Sequence, residues 1–110
     1  MTEPHDLDDP GIEFAERPDE HRYEATIGGE LAGICEYNLL TDAIMFTHTE
    51  VMPVFEGKGV GSALAKHVLD DARGKGLHVI PVCQFIASYI RKHRDYADLV
   101  RPDIQRAFKI

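Results

Sequence analysis

The sequence predicts a compact α/β (α+β) domain, in which an antiparallel β-meander precedes a strand–helix–strand crossover and a second helix. Two observations predict this fold. Three extended segments are joined by Gly28-Gly29 and by Thr41-Asp42, and such short turns allow only antiparallel neighbours. After residue 59, the apolar residues recur every three to four positions, which is the period of an amphipathic helix.

The elements follow from these patterns in chain order. The predicted strands cover residues 21–27, 30–39 and 43–51, and Pro53 closes the third. The predicted helix begins near Val60 and ends at Gly74 or Gly76, because glycine readily caps a helix in the left-handed conformation. Residues 77–83 form a short buried strand, which the crossover places parallel to residues 43–51. A second helix over residues 84–93, a turn over 96–99 and a terminal helix over 103–110 complete the domain.

The negative charge of the chain is concentrated at its start. Residues 1–20 carry eight carboxylates and one cation, whereas residues 21–110 carry eleven acidic and eleven basic side chains. We expect residues 1–20 to form an acidic, flexible segment and residues 21–110 to form the domain. Ile12 and Phe14 offer an alternative, a short edge strand within that segment.

Composition excludes several classes of function. A domain without basic excess predicts no nucleic-acid partner, and no apolar run approaches the roughly 20 residues that span a bilayer. The acidic amino terminus lacks the features of a secretory signal, so a cytoplasmic location is expected. Cys35 and Cys83 are then expected as free thiols. The six scattered histidines predict no metal site.

The most informative segment is the glycine-rich stretch that separates the third strand from the first helix. Gly57, Gly59 and Gly61 alternate there, just where a helix would direct unpaired N–H groups and its positive end into the turn. This arrangement predicts a phosphate site. It lacks the Lys-Ser or Lys-Thr of a Walker loop and the G-x-G-x-x-G spacing of a dinucleotide fold.

This stretch, Glu56-x-x-Gly59-x-Gly61, resembles the acyl-CoA motif [R/Q]-x-x-G-x-[G/A] of the GNAT N-acetyltransferase superfamily. His48-Thr49-Glu50-Val51 before it, and Ile80-Pro81-Val82-Cys83 after it, are similar to a short single-domain GNAT-like subgroup. The resemblance covers roughly residues 22–100. It implies a compact GNAT-like fold in which two parallel strands splay apart to admit the pantetheine arm of CoA.

The resemblance implies a function and a set of binding residues. The expected reaction is transfer of an acetyl group from acetyl-CoA to an amine whose identity the sequence does not give. The alternative is a non-catalytic acyl-CoA-binding or regulatory module. Glu56 departs from the family's Arg or Gln, so backbone groups and Lys58 are expected to supply the attraction. The main chain of Val51 would meet the pantetheine, and the pyrophosphate would lie against Gly57, Lys58, Gly59, Val60, Gly61 and Ser62.

Cys83 and His48 are the candidate catalytic residues. Cys83 ends a predicted strand, where ligands of α/β sheets collect, and a thiolate is a strong nucleophile. His48 lies on the neighbouring strand, and the subgroup carries His and Cys at the matching positions. Cys83 could instead be a small buried residue. His48 alternates with Ile44 and Phe46, so it could be a core histidine.

Two mechanisms and two smaller questions stay open at the level of sequence. Either the amine attacks the thioester directly, with Tyr89 or Tyr96 as candidate proton donors, or Cys83 first accepts the acyl group. The basic run at residues 91–94 could reach the 3′-phosphate of CoA or be a solvated helix end. The expected oligomeric state is a monomer or a small homo-oligomer.

Overall fold

The sheet has five strands in chain order, with one parallel pair at its end. The structure, a computed structural model, describes residues 11–110, and residues 1–10 lie outside it. The first four strands are antiparallel neighbours, and the fifth runs parallel to the fourth. The strands are β1 Ile12–Arg17, β2 Arg22–Ile27, β3 Glu30–Leu39, β4 Ala43–Val51 and β5 His78–Pro81.

Three α-helices complete the domain, and the expected α+β architecture is confirmed. The helices are α1 Val60–Gly74, α2 Gln84–Lys92 and α3 Pro102–Phe108, and 3-10 turns cover Pro18–Glu20, Pro53–Phe55 and Arg94–Leu99. β5 is shorter than the predicted strand over residues 77–83, because the chain turns into α2 directly after Val82. None of the helices between residues 11 and 110 has the length and apolarity needed to cross a membrane.

The core lies between one face of the sheet and the helices α1 and α2. Their fully buried residues include Leu64, Val68 and Leu69 of α1 and Ile86 and Ile90 of α2. These positions follow the helical period seen in the sequence, which explains why the elements form where predicted.

A β-bulge at Thr47 shifts the second half of β4. Phe46 pairs with Tyr37 and His48 pairs with Glu36, so Thr47 is an extra residue without a partner on β3. One extra residue moves every later side chain of a strand to the opposite face. Phe46 therefore faces the core, but the next core-facing residue is Thr49, which pairs with buried Cys35.

The sheet begins before the expected domain boundary at residues 20 and 21. β1 pairs with β2 along its length, so the edge-strand alternative for Ile12 and Phe14 describes this segment. The Phe14 ring stacks on the His67 ring of α1 at 4.3 Å. Glu16 accepts hydrogen bonds from Tyr37 at 2.5 Å and from Lys75 at 2.8 Å. The expectation of a flexible acidic segment otherwise concerns residues 1–10, which lie outside the described part.

Candidate active site

The edge of β4 is open from Thr47 onward. β4 has β3 on one side and β5 on the other. β5 pairs with β4 only from Ala43 to Phe46, where Pro81 is the last partner. The main-chain N–H of Cys83 then donates to the Phe46 carbonyl at 2.8 Å, and the chain leaves into α2. No described strand pairs with this edge of β4 beyond that point. The two parallel strands thus part at Phe46, as the resemblance implied.

The main chain of Val51 faces this open edge. The N–H of Met52 donates to the Ala32 carbonyl of β3 at 2.8 Å, so Met52 directs its backbone groups towards β3. Backbone groups of successive strand residues alternate between the two edges of the strand. The N–H and C=O of Val51, and likewise those of Thr49, therefore point away from β3 and are free to pair with an extended ligand.

The glycine turn leads into the N-terminus of α1. Gly57 and Gly59 have φ values of 82° and 79°, in the left-handed region that favours glycine, and a Cβ at either would meet no atom within 4 Å. The first helical bond joins the Ala63 N–H to the Gly59 carbonyl at 3.0 Å. Among residues 11–110, no acceptor pairs with the preceding N–H groups of Val60, Gly61 and Ser62, which are therefore available to an anion.

Glycines at positions 33 and 61 allow the N-termini of α1 and α2 to lie close to the open edge of β4. A Cβ at Gly33, the register partner of Val51, would lie 3.1 Å from Cγ1 of Val60. A Cβ at Gly61 would lie 2.7 Å from Cζ of Phe85, so α2 begins against the first turn of α1. Cys83 is the N-cap residue of α2. The positive ends of both helices consequently lie beside the point where β4 and β5 separate.

Cys83 contacts Thr49 and not His48. Its thiol donates to Oγ1 of Thr49 at 3.2 Å, and the Thr49 hydroxyl donates to Sγ of Cys35 at 3.5 Å. Cys83 is 8% exposed, and Cys35 is fully buried. Burial raises the pKa of the Cys35 thiol to about 12, so this residue is a protonated core thiol at neutral pH. Both cysteines are free thiols, as expected from the sequence.

His48 lies on the opposite face of the sheet. The bulge at Thr47 turns its side chain away from Ile44 and Phe46, so the alternative of a core histidine is wrong. His48 is instead exposed, and its Nε2 lies 3.3 Å from Oε1 of Glu50. The structure therefore places Cys83 and His48, the two predicted catalytic residues, on opposite faces of the sheet. Thr49 was missed because nothing in the sequence signals the bulge.

A cleft of about 110 Å³ continues from the N-terminus of α1 along α2. The His93 ring stacks on Tyr89 at 3.9 Å, and Lys92 is exposed at the rim. The cleft is lined by Ser62, Phe85, Ser88, Tyr89, Lys92 and His93. From the predicted basic run, the structure therefore brings Lys92 and His93 into one cleft with Ser62 of the first turn of α1.

The remaining predicted groups have other partners. Arg91 donates to the carbonyls of Phe108 and Lys109, and Arg94 donates to that of Ile110, so the two arginines hold the end of α3 and the residues after it. Tyr96 donates to Asp70 at 2.6 Å, and burial raises the pKa of its phenol.

Lys58 and Glu56 both belong to the exposed turn. No ion pair involves either of them in the part of the chain that the structure describes. The site thus offers unpaired backbone donors, the positive ends of two helices and two exposed lysines, Lys58 and Lys92. This set of groups suits a long ligand that carries phosphates.

Comparison with known proteins agrees with this geometry. The family model of the GCN5-related N-acetyltransferases matches residues 22–99. The chain is similar to a protein of known structure from Staphylococcus aureus that is assigned as a GCN5-like N-acetyltransferase. The two share 25% identity over 83% of this chain and 89% of the other, with a TM-score of 0.63. No curated protein sequence matches the chain.

Two larger enzymes share the fold. The ribosomal-protein-S18-alanine N-acetyltransferase from Escherichia coli is 19% identical over 73% of this chain and 62% of its own, with a TM-score of 0.52. The N-acetylglutamate synthase from Neisseria gonorrhoeae, solved with coenzyme A and N-acetyl-glutamate, is 21% identical over 68% of this chain and 20% of its own, with a TM-score of 0.51. At these identities the likeness concerns the fold alone. From the match of the family model over most of its length, the chain belongs to the GCN5-related N-acetyltransferase family.

Proposed function

We propose that this protein transfers the acetyl group of acetyl-CoA to an amine. The observation that carries the proposal is the open edge of β4, where unpaired backbone groups and two helix N-termini lie beside a thiol. An enzyme that holds a thioester along such an edge orients its carbonyl without using side chains. Membership in the family supports acetyl-CoA as the acyl donor.

The glycine turn is the proposed site of the CoA pyrophosphate. The N–H groups of Val60, Gly61 and Ser62 would donate to phosphate oxygens, and the dipole of α1 would favour their charge. Gly57 and Gly59 would allow the phosphates to approach the main chain, and Lys58 would add a cation. The open edge at Val51 would pair with the amides of the pantetheine arm.

Cys83 and His48 would act on the thioester from opposite faces of the sheet. In the direct route, His48 accepts the proton that the amine loses as its nitrogen bonds to the acyl carbon, and CoA leaves as a thiolate that takes a proton from water. In the covalent route, the Cys83 thiol loses its proton to solvent, its sulfur bonds to the acyl carbon and the bond from that carbon to the CoA sulfur breaks. The amine nitrogen then bonds to the same carbon and loses a proton, and the Cys83 sulfur leaves as a thiolate. In the direct route the amine approaches from the His48 face, which α1 and α2 leave uncovered.

A non-catalytic acyl-CoA-binding module is the second candidate function. The separation of His48 from Cys83 favours it, because no described base contacts the thiol. Glu56 also replaces the Arg or Gln of the motif with a residue that repels phosphate.

Free-thiol release from acetyl-CoA distinguishes the two functions. The protein is incubated with acetyl-CoA and a panel of primary amines, and calorimetry measures its affinity for CoA. We expect thiol release that depends on both enzyme and amine. Affinity for CoA without amine-dependent release would support the binding module, and no affinity for CoA would contradict both functions.

A further inference from the structure

The hydroxyl of Thr49 lies between the two cysteines of the chain. It accepts a hydrogen bond from the Cys83 thiol at 3.2 Å and donates one to the Cys35 sulfur at 3.5 Å. Three neighbouring segments supply these groups: Cys35 comes from β3, Thr49 from β4 and Cys83 from the start of α2. Thr49 is the register partner of Cys35, so the pairing of the sheet holds this line of three side chains in place.

The polarity of this line can reverse. A threonine hydroxyl has one proton and two acceptor lone pairs, and its proton rotates to suit its partners. A neutral sulfur is a weak acceptor, so the present bond to Cys35 is easily given up. An anionic sulfur accepts a stronger bond, because charge-assisted hydrogen bonds are about twice as strong as neutral ones.

We propose that Thr49 is a positioning residue for Cys83, which holds the thiol at the open edge and donates its hydroxyl proton to the sulfur once that sulfur has lost its own. The proton of Cys83 leaves to hydroxide or water of the solvent. The Thr49 hydroxyl then turns from Cys35 to Cys83, and the Cys35 thiol donates to Thr49. The proposal deepens the proposed function, since it concerns the thiol assigned to acyl transfer there.

Cys35 is suited to be the thiol that stays protonated and donates to Thr49. It is fully buried, and burial raises its pKa to about 12, so it keeps its proton when Cys83 ionises. It can therefore replace the bond that the Thr49 oxygen loses when Cys83 stops donating. No other described side chain donates to or accepts from the Thr49 hydroxyl.

Other titratable groups on the elements around Cys83 have partners elsewhere or lie at the surface. Lys58 and Glu56 belong to the exposed turn, and Lys92 lies at the rim of the cleft. On β3 and β4, Glu36 is the register partner of His48, and His48 pairs with Glu50 on the far face. The paired groups on the helices are Lys66 with Asp70, His67 with Phe14, Asp71 with Tyr23 and Arg73 with Asp98 on α1, and Tyr89 with His93 and Arg91 with the Phe108 carbonyl on α2. Thr49 is thus the polar side chain in contact with the Cys83 thiol.

The test measures the alkylation of Cys83 by iodoacetamide across pH 6 to about 9, where free cysteine ionises. Peptide mass spectrometry follows Cys83 and Cys35 separately in the full chain. Thr49→Val keeps the shape of the side chain and removes the hydroxyl. We expect Cys83 to react about tenfold more slowly near neutral pH and the rate profile to move to higher pH, because one hydrogen bond to a charged atom is lost.

Matched variants separate this effect from a structural one. Thr49→Ser should restore the wild-type profile within about twofold, because it restores the hydroxyl. Thr47→Val removes another hydroxyl of β4, which donates to the Glu36 carbonyl of β3, and it should leave the profile unchanged. Thr49→Ala is the second hydroxyl-free variant, to be used if Thr49→Val does not fold.

A wild-type alkylation profile in the hydroxyl-free variant would overturn the proposal. A slower reaction that Thr49→Ser does not restore would overturn it as well. The readout does not depend on acetyl transfer. If Cys83→Ala retained full transfer while Thr49→Val still slowed alkylation, the covalent role of Cys83 would fail and the role of Thr49 would stand.

Discussion

The two halves of β4 differ in what surrounds them. The first half, Ala43 to Phe46, is paired with β3 on one side and with β5 on the other, and Ile44 and Phe46 are buried. The second half, Thr47 to Val51, is paired only with β3, from His48 onward, and alternates between the core and solvent. One strand thus contains a segment that stabilises the sheet and a segment that leaves backbone groups free for a ligand.

The boundary between the halves has two physical causes at one place. β5 ends at Pro81, because the next N–H, that of Val82, turns back to the Ile80 carbonyl at 3.1 Å, and the bulge at Thr47 reverses the faces of β4. The candidate site thus lies where regular pairing of the sheet stops. Substitutions in the first half should lower stability, whereas substitutions around the second should alter acyl transfer.

The largest expected effect is on stability in the first half. Phe46→Ala should lower the free energy of unfolding by about 3–5 kcal/mol, because it empties a fully buried position. Urea denaturation measures this change. Leu39→Ala removes a side chain that is 61% exposed and should cost less than about 0.5 kcal/mol. A loss below about 1 kcal/mol for Phe46→Ala would show that the first half is not the more stable segment.

The next effect concerns chemistry at the second half. Cys83→Ala should lower amine-dependent thiol release on the order of 10²-fold, while its free energy of unfolding falls far less than that of Phe46→Ala. Leu39→Ala should retain wild-type release. Full turnover by the Cys83→Ala variant would end the nucleophile hypothesis and leave the direct route.

The glycine turn allows a matched pair of variants. Gly59→Ala and Gly29→Ala each place a side chain at a positive φ, of 79° and 83°, and should each lower stability by about 1–2 kcal/mol. The Gly59 variant should also raise KM for acetyl-CoA about tenfold, because the Cβ holds phosphates away from the N–H groups. Steady-state kinetics would contradict the proposed site if the two variants had the same KM.

A smaller effect is expected at the end of the cleft. Lys92→Gln should raise KM for acetyl-CoA about threefold, since one partly exposed ion pair contributes up to about 1 kcal/mol. The same variant should bind the 3′-dephospho form of the substrate as the wild type does. Lys66→Gln is the matched control, because Lys66 pairs with Asp70 outside the cleft. If Lys92→Gln weakened the binding of acetyl-CoA and of its 3′-dephospho form equally, the 3′-phosphate would not lie at Lys92.

The smallest effect lies far from the open edge, at the end of α1. Burial acts to raise the pKa of Asp71, but hydrogen bonds from Tyr23 and Lys75 hold it below its usual value. A lowered pKa contributes stability above the unfolded value of about 3.9, and that stability is lost as pH falls through the folded value. As the pH falls below 4, the free energy of unfolding should therefore fall less in the Asp71→Asn variant than in the wild type, with a difference of less than about 1 kcal/mol. Acid titration of urea midpoints checks this, and parallel curves would exclude the contribution.

Most of the fold was predictable because it depends on local patterns. The alternation of residues 30–39 and 43–51 and the helical period from Val60 fall on the observed elements. The glycine motif also marked the N-terminus of α1. The contact between Cys83 and Thr49 was not predictable, because predicting it requires knowing which face of the sheet each side chain of β4 occupies.

What the sequence alone determined is the order of the elements, the glycine turn and membership in an acyl-CoA-binding family, since each depends on residues close together in the chain. Tertiary structure decided which side chain meets Cys83. The unpaired Thr47 and the end of β5 at Pro81 belong to the pairing of three strands. Strand register is set by contacts between distant segments, so a pattern along one segment does not reveal it.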